Sequence, residues 1–222
     1  RVGGGSHTLV RLNLARLAEG ATRTDFLAHR LPEAVDALLD ALEARSRFLV
    51  EEARFFEGSW LVQEGLLHLD RFTAMAGVVG LHEAVEQLGA GTLGTDEAAN
   101  ALGLELMTAL RDRLKARPLP YCEGTSGLAG LHAQSGIAGD EGVTPGVRIR
   151  IGCEPELPAQ VRLQAQLQAA FDTGVADILC FDPTARQNPE GVLRLVEGAL
   201  AMGLRMVGMS CSDSDVVRVS GY

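Results

Sequence analysis

No two of the four cysteines, Cys122, Cys153, Cys180 and Cys211, stand at a Cys-x-x-Cys spacing, so a zinc or iron-sulfur site within this chain has no sequence support. The five histidines, His7, His29, His68, His82 and His132, show no metal-ligand spacing either. No apolar run approaches the roughly 18 residues of a membrane-spanning helix, because a charge or a glycine interrupts every stretch. Positive charge is in deficit: 20 Lys and Arg against 29 Asp and Glu leave a formal net charge of −9. Nucleic acid and anionic membrane call for a basic patch and are excluded as main partners. Gly3-Gly4-Gly5 is not a nucleotide loop, since the Lys-Ser/Thr ending of a phosphate-binding loop is missing. Internal repeats and low-complexity tracts are absent too. What remains is an acidic globular chain, expected in the cytoplasm with reduced thiols.

With 46% hydrophobic residues among 222, the chain can bury a substantial core. Thr8 to Leu14 alternates as a strand, with Val10, Leu12 and Leu14 on one face. From Pro32 to Phe56, Val35, Leu38, Leu39, Leu42, Leu49, Val50 and Ala53 recur at helical spacing, and Pro32 suits a first turn. The apolar run from Arg71 to Leu88 reads as a helix in which Gly77 and Gly80 permit close packing, with Glu83 and Glu86 on its exposed side. Thr95-Asp96-Glu97 opens a further helix carrying Leu102, Leu106, Leu110 and Leu114 on one face, and Arg117-Pro118-Leu119-Pro120 stops it.

Tyr121 to Gly146 is rich in glycine and reads as loops around at most one short strand, a kind of segment more often functional than decorative. Val147 to Ile151 alternates as a strand, Pro158 to Phe171 is helical, and Asp177 to Phe181 fits a buried strand. Asn188 caps, Pro189 begins and Gly203 ends a helix, and Met206 to Met209 forms another strand. Strand, helix and strand in that order imply a parallel crossover. The fold class is α/β, rich in long amphipathic helices.

The chain ends in Arg218-Val219-Ser220-Gly221-Tyr222. Glycine can lose an α-hydrogen and leave a carbon radical that lies flat between two amides, a geometry in which a Cβ would be crowded. Val219 and Tyr222 would shield such a radical. This pentapeptide resembles the radical-bearing motif of glycyl radical enzymes, and the order Asn188-Pro189-Glu190, helix, short strand and terminal loop is similar to theirs. The stretch Arg71 to Leu81 also looks like an apolar Gly-Leu-containing helix of that superfamily. Among the branches, the sequence is most similar to the YjjI-type group.

The resemblance implies the C-terminal part of a ten-stranded α/β barrel, with residues 1–205 belonging to the barrel and 206–222 forming the radical loop region. Gly221 would carry the radical, and Arg218, Val219, Ser220 and Tyr222 would form its loop. A protein-derived glycyl radical would be the cofactor, with no metal bound by this chain. The partner would be a radical S-adenosylmethionine activating enzyme holding an iron-sulfur cluster, and the substrate a small molecule. A homodimer is compatible with the resemblance. Family members begin several hundred residues earlier and continue past the motif, so the sequence reads as a C-terminal fragment, inactive alone. The cysteine that receives the radical is then expected upstream of Arg1. Within the chain Cys122 is the nearest substitute, and His7, after a glycine-rich turn, is a candidate for substrate binding. Cys180 reads as core and Cys211 as structural. Anaerobic ribonucleotide reductase is an alternative branch, lowered by the missing cysteine cluster. Pyruvate formate-lyase is another, and a non-catalytic α/β binding module is the alternative from a different class.

Overall fold

The computed structural model describes residues 2–133, 139–173, 175, 177–181 and 183–210. Among these, β1 (Gly5–Asn13), β2 (Phe72–Val79) and β3 (Gly130–Ala133) form a parallel sheet in that order. A second parallel pair joins β4 (Ile178–Cys180) to β5 (Gly208–Ser210). Parallel neighbours need long crossovers, and the helices between the strands supply them.

The pairing register assigns side chains to two faces. Thr8, Val10 and Leu12 stand opposite Ala74, Ala76 and Val78, and the last two stand opposite Leu131 and Ala133. This face lies in the main core with Val35, Leu38, Leu39 and Leu42 of α2 (Leu31–Arg47), which follows the short α1 (Leu14–Ala18). Leu9, Met75 and Gly130 form a row on the other face, and Arg11, Gly77 and His132 form the next. A bulge interrupts β1 between Ser6 and Thr8, so His7 has no partner across the strand.

The segment read as one helix from Arg71 to Leu88 is instead β2, a turn at Gly80 and the short α3 (Leu81–Gln87). A nearly continuous apolar run also suits a parallel strand covered on both faces, and periodicity alone does not separate the two. Gly77 therefore lies in a strand and not on a helix-packing face. Gly80 has φ +77°, and a Cβ there would stand 2.9 Å from Ala15 Cβ and 2.8 Å from Val143 Cγ1. Both the turn and the close approach require glycine.

α4 (Glu97–Lys115) buries Leu102, Leu106, Leu110 and Leu114, the stripe expected from their spacing. The helical segment before α2 and the one after it, Phe26–Arg30 and Phe48–Glu52, are wound as π-turns. Each rotates the apolar stripe away from a 3.6-residue period, and Phe48 ends up exposed. Val147 to Ile151 alternates as expected, with Val147 and Ile149 buried, but forms no strand. Its polar members are held by side chains: Arg148 by Asp177, and Arg150 by Glu83 and Glu86. The α5 helix (Leu157–Gln168) leads to β4, and α6 (Pro189–Ala201) joins β4 to β5. Asn188 caps α6 through its side chain, which accepts from Gly191 N–H at 3.0 Å.

Candidate functional site

Arg218, Val219, Ser220, Gly221, Tyr222 and Cys211 lie outside the described residues. The other two candidates, His7 and Cys122, are brought together at the N-terminal end of the sheet. A carbonyl can only accept, so His7 Nε2 donates to the Tyr121 oxygen at 2.8 Å. Its ring packs against Phe72 and edge-on to Phe56, at centroid distances of 5.1 and 5.5 Å. Burial pushes its pKa below the ordinary 6.5.

Cys122, the next residue after Tyr121, is 0% exposed and belongs to the main core. Its Sγ accepts from Ala74 N–H at 3.3 Å. Desolvation raises its pKa, which lowers the thiolate fraction on which cysteine reactivity depends. Cys180, read as core, is exposed on β4.

The opposite ends of the strands carry a polar cluster that the sequence reading missed. It sits in the turn after β2, where Gly80 and Leu81 N–H groups donate to the carbonyls of Thr144 and Gly146 at 2.9 and 3.4 Å. In return, Arg150 N–H donates to His82 Nδ1 at 3.1 Å and Thr144 N–H donates to Glu83 Oε2 at 3.0 Å. The Thr144 hydroxyl also bonds Glu83, and Arg150 reaches Glu83 at 3.2 Å and Glu86 at 2.7 Å. Glu83 is thus buried and fully engaged, against the expectation of an exposed helix face. His82 is fully buried, and desolvation, helped by the Arg150 charge, lowers its pKa. Because Nδ1 accepts, the ring proton is on Nε2, which lies 3.3 Å from Glu86 Oε1. Once 72–79 is read as a strand, the run Gly80-Leu81-His82-Glu83 becomes a strand-to-helix turn, the signal that would have found this cluster.

The same loop delivers Asp140, whose buried carboxylate pairs with both terminal nitrogens of Arg11 on β1. Asp177, before β4, accepts from the amides of Gln160 and Gln164 at 2.9 and 3.2 Å. Burial raises its pKa despite them. Among the described residues, no group of three or more His, Cys, Asp or Glu could hold a metal ion, and no helix is long and apolar enough to cross a membrane.

Parallel strands joined by helices, with loops gathered at the strand ends, make this an α/β fold, and it matches the fold of solved anaerobic ribonucleotide reductases. An anaerobic ribonucleotide reductase superposes with a TM-score of 0.72 at 15% identity, over 90% of this chain and 34% of that one. The reductase from Thermotoga maritima solved with citrate in the active site gives 0.69 at 18% identity, over 94% and 40%. The family model "Glycyl radical enzyme YjjI-like" matches residues 1–222, and the chain belongs to that family. It is 39% identical over 225 residues to "Uncharacterized protein YjjI" of Escherichia coli K12, covering 99% of this chain and 43% of that protein. An uncharacterized protein of Haemophilus influenzae is 33% identical, covering 99% and 44%. The chain therefore spans less than half the length of these relatives.

Proposed function

We propose that this chain is the glycine-bearing part of a glycyl radical enzyme acting on a small molecule, with the radical stored on Gly221. The observation that carries the reading is the pentapeptide Arg218-Val219-Ser220-Gly221-Tyr222 in a chain matched over its whole length by the family model. In this reading a radical S-adenosylmethionine activase, with its own iron-sulfur cluster, removes one α-hydrogen atom from Gly221. The glycyl radical then takes a hydrogen atom from a cysteine thiol, and the resulting thiyl takes one from the substrate. Each transfer moves one hydrogen atom to the radical and leaves the unpaired electron on the donor, so the stored radical is restored when the sequence runs back. Residues 1–205 serve as barrel wall and 206–222 as the radical loop region, in an enzyme of anaerobic, cytoplasmic metabolism.

The thiyl cysteine belongs in this reading to the part of the enzyme outside this chain. Cys122 is less suited, because a thiol sealed in the core with no exposed surface has no access to substrate. His7, stacked among phenylalanines, serves to hold the Tyr121–Cys122 segment against β1.

The test is anaerobic co-expression of the full-length gene with its activase, followed by electron paramagnetic resonance. A glycyl doublet is expected that vanishes in Gly221→Ala. Its absence under demonstrably competent activation overturns the reading.

A further inference from the structure

Between the buried Ser46 and the buried Phe72, residues 47–71 include none that is buried. Eleven of them are Leu, Val, Phe or Trp, a composition that ordinarily supplies a core. Phe48, Phe55, Trp60 and Leu66 are instead 53, 45, 65 and 54% exposed. The elements that carry them are short: Phe48–Glu52 is a π-turn, and Phe55–Gly58 and Trp60–Gln63 are single helical turns. Single turns are not self-supporting in water. Phe56 anchors the segment to the sheet, edge-on to Phe72 and His7 at centroid distances of 4.9 and 5.5 Å. Exposed apolar residues are ordinary when scattered, but gathered in one segment they mark an interaction surface.

The same segment is acidic. Within residues 48–70, Glu51, Glu52, Glu57, Glu64 and Asp70 stand against the one cation Arg54, with His68 besides. Arg47 holds Glu51 and Arg54 reaches Glu57. The carboxylates of Glu52, Glu64 and Asp70 have no ion pair or hydrogen bond among the described residues, and neither does that of Glu123. Next to the single turns opens a cavity of about 700 Å3, lined by Val62, Leu67, His68, Asp70, Tyr121 and Glu123.

We propose that residues 48–70, with the Tyr121–Glu123 edge of the cavity, form the surface on which the part of the same polypeptide outside this chain packs, and that this part brings apolar side chains flanked by Lys or Arg. Covering an unpaired carboxylate is costly, so whatever buries Trp60 and Leu66 has to carry cations for Glu52, Glu64, Asp70 and Glu123. A second copy in a two-fold contact would set the same carboxylates against each other. An anionic membrane surface would be repelled by them. The relatives supply the polypeptide. This chain matches them over 99% of itself yet covers only 43 and 44% of their lengths, so a protein of their size holds more than as much chain again, with apolar surface of its own to bury. The segment is distant in sequence from the radical loop region, and its role does not depend on a radical.

The test uses the full-length protein. Hydroxyl-radical footprinting should leave Trp60 and Phe55 protected in the native state and oxidised once the protein is unfolded in urea. A Trp60 as reactive in the native state as in the unfolded one overturns the proposal without any variant having to fold. Photocross-linking then uses p-benzoylphenylalanine in place of Trp60, in an equal mixture of 14N- and 15N-labelled copies. The expected product is a link within one polypeptide to a stretch outside residues 1–222 in which Lys and Arg outnumber Asp and Glu. A link between differently labelled copies, a link to a stretch without that excess, or no link beyond residues 1–222 overturns it. Glu52→Arg combined with Glu64→Arg should raise the native oxidation rate of Trp60 about tenfold, because like charges then face each other, and an unchanged rate counts against the proposal as well.

Discussion

His82 Nδ1 accepts the backbone N–H of Arg150 at 3.1 Å across 68 residues of sequence, and this bond ties the first turn of α3 to the loop that carries Asp140. A protonated Nδ1 cannot accept. His82 has a folded-state pKa below its ordinary 6.5, so its contribution to stability is present above pH 6.5 and is lost as pH falls through the lowered value. His7 and His132 are shifted the same way and add to the same acid-side loss. The melting temperature of the full-length protein should therefore drop on acidification below pH 6.5. Amide exchange at Arg150 isolates the His82 part: protection at pH 7.5 should disappear at acid pH, and an Arg150 amide equally protected at both would refute the link.

Glu83 supplies both oxygens to the opposing loop. Glu83→Ala leaves Thr144 N–H, its hydroxyl and one arm of Arg150 without their acceptor. Removing one partner of a buried pair is costly, but Arg150 is 40% exposed and keeps Glu86, which moderates the effect. We expect a loss of about 2 kcal/mol in urea denaturation, with Glu83→Gln losing less. Equal stability of Glu83→Ala and the parent would contradict the arrangement.

Two glycines in the same backbone region of φ should respond differently to alanine. Gly20 has φ +64° and nothing within 4 Å of the place an added methyl would take, whereas Gly80 meets Ala15 and Val143. Gly20→Ala should cost about 1 kcal/mol from backbone strain alone, and Gly80→Ala about 3 kcal/mol or more. Denaturation midpoints measured side by side settle the order, and a smaller cost at Gly80 would be the wrong outcome.

Thiol accessibility separates the cysteines. In the native full-length protein, Cys180 should be modified by a bulky disulfide reagent well before Cys122, whose reaction should wait for unfolding. Peptide mass mapping over time reads the order, and early labelling of Cys122 would show that its thiol is reachable after all.

The long helices were legible because Leu102, Leu106, Leu110 and Leu114, or Val35, Leu38, Leu39 and Leu42, repeat at one spacing and are buried as that spacing demands. β2 was hidden because Ala74, Ala76 and Val78 face the helices while Met75, Gly77 and Val79 are apolar too, so alternation vanished. Val147 to Ile151 misled in the opposite sense: alternation of burial persists in an extended loop whose polar groups bond to side chains. The turn at Gly80 marks where the polar cluster sits once β2 is read as a strand, but its partners were illegible, because His82 and Glu83 find Arg150 and Thr144 more than 60 residues away. The closing pentapeptide was read from residue type at adjacent positions alone, and it lies outside the described residues.

The bulge at His7 has a further consequence. Ser6 pairs with Thr73 and Thr8 with Ala74, so the strand alignment already counts as though His7 were a spare residue. Deleting it would leave every later pair in frame, Arg11 with Gly77 included. What would vanish is the tether to Tyr121 and the ring between Phe56 and Phe72. Evolution or a protein engineer can thus adjust how tightly the Cys122 segment is moored without disturbing the register that sets Arg11 opposite Gly77.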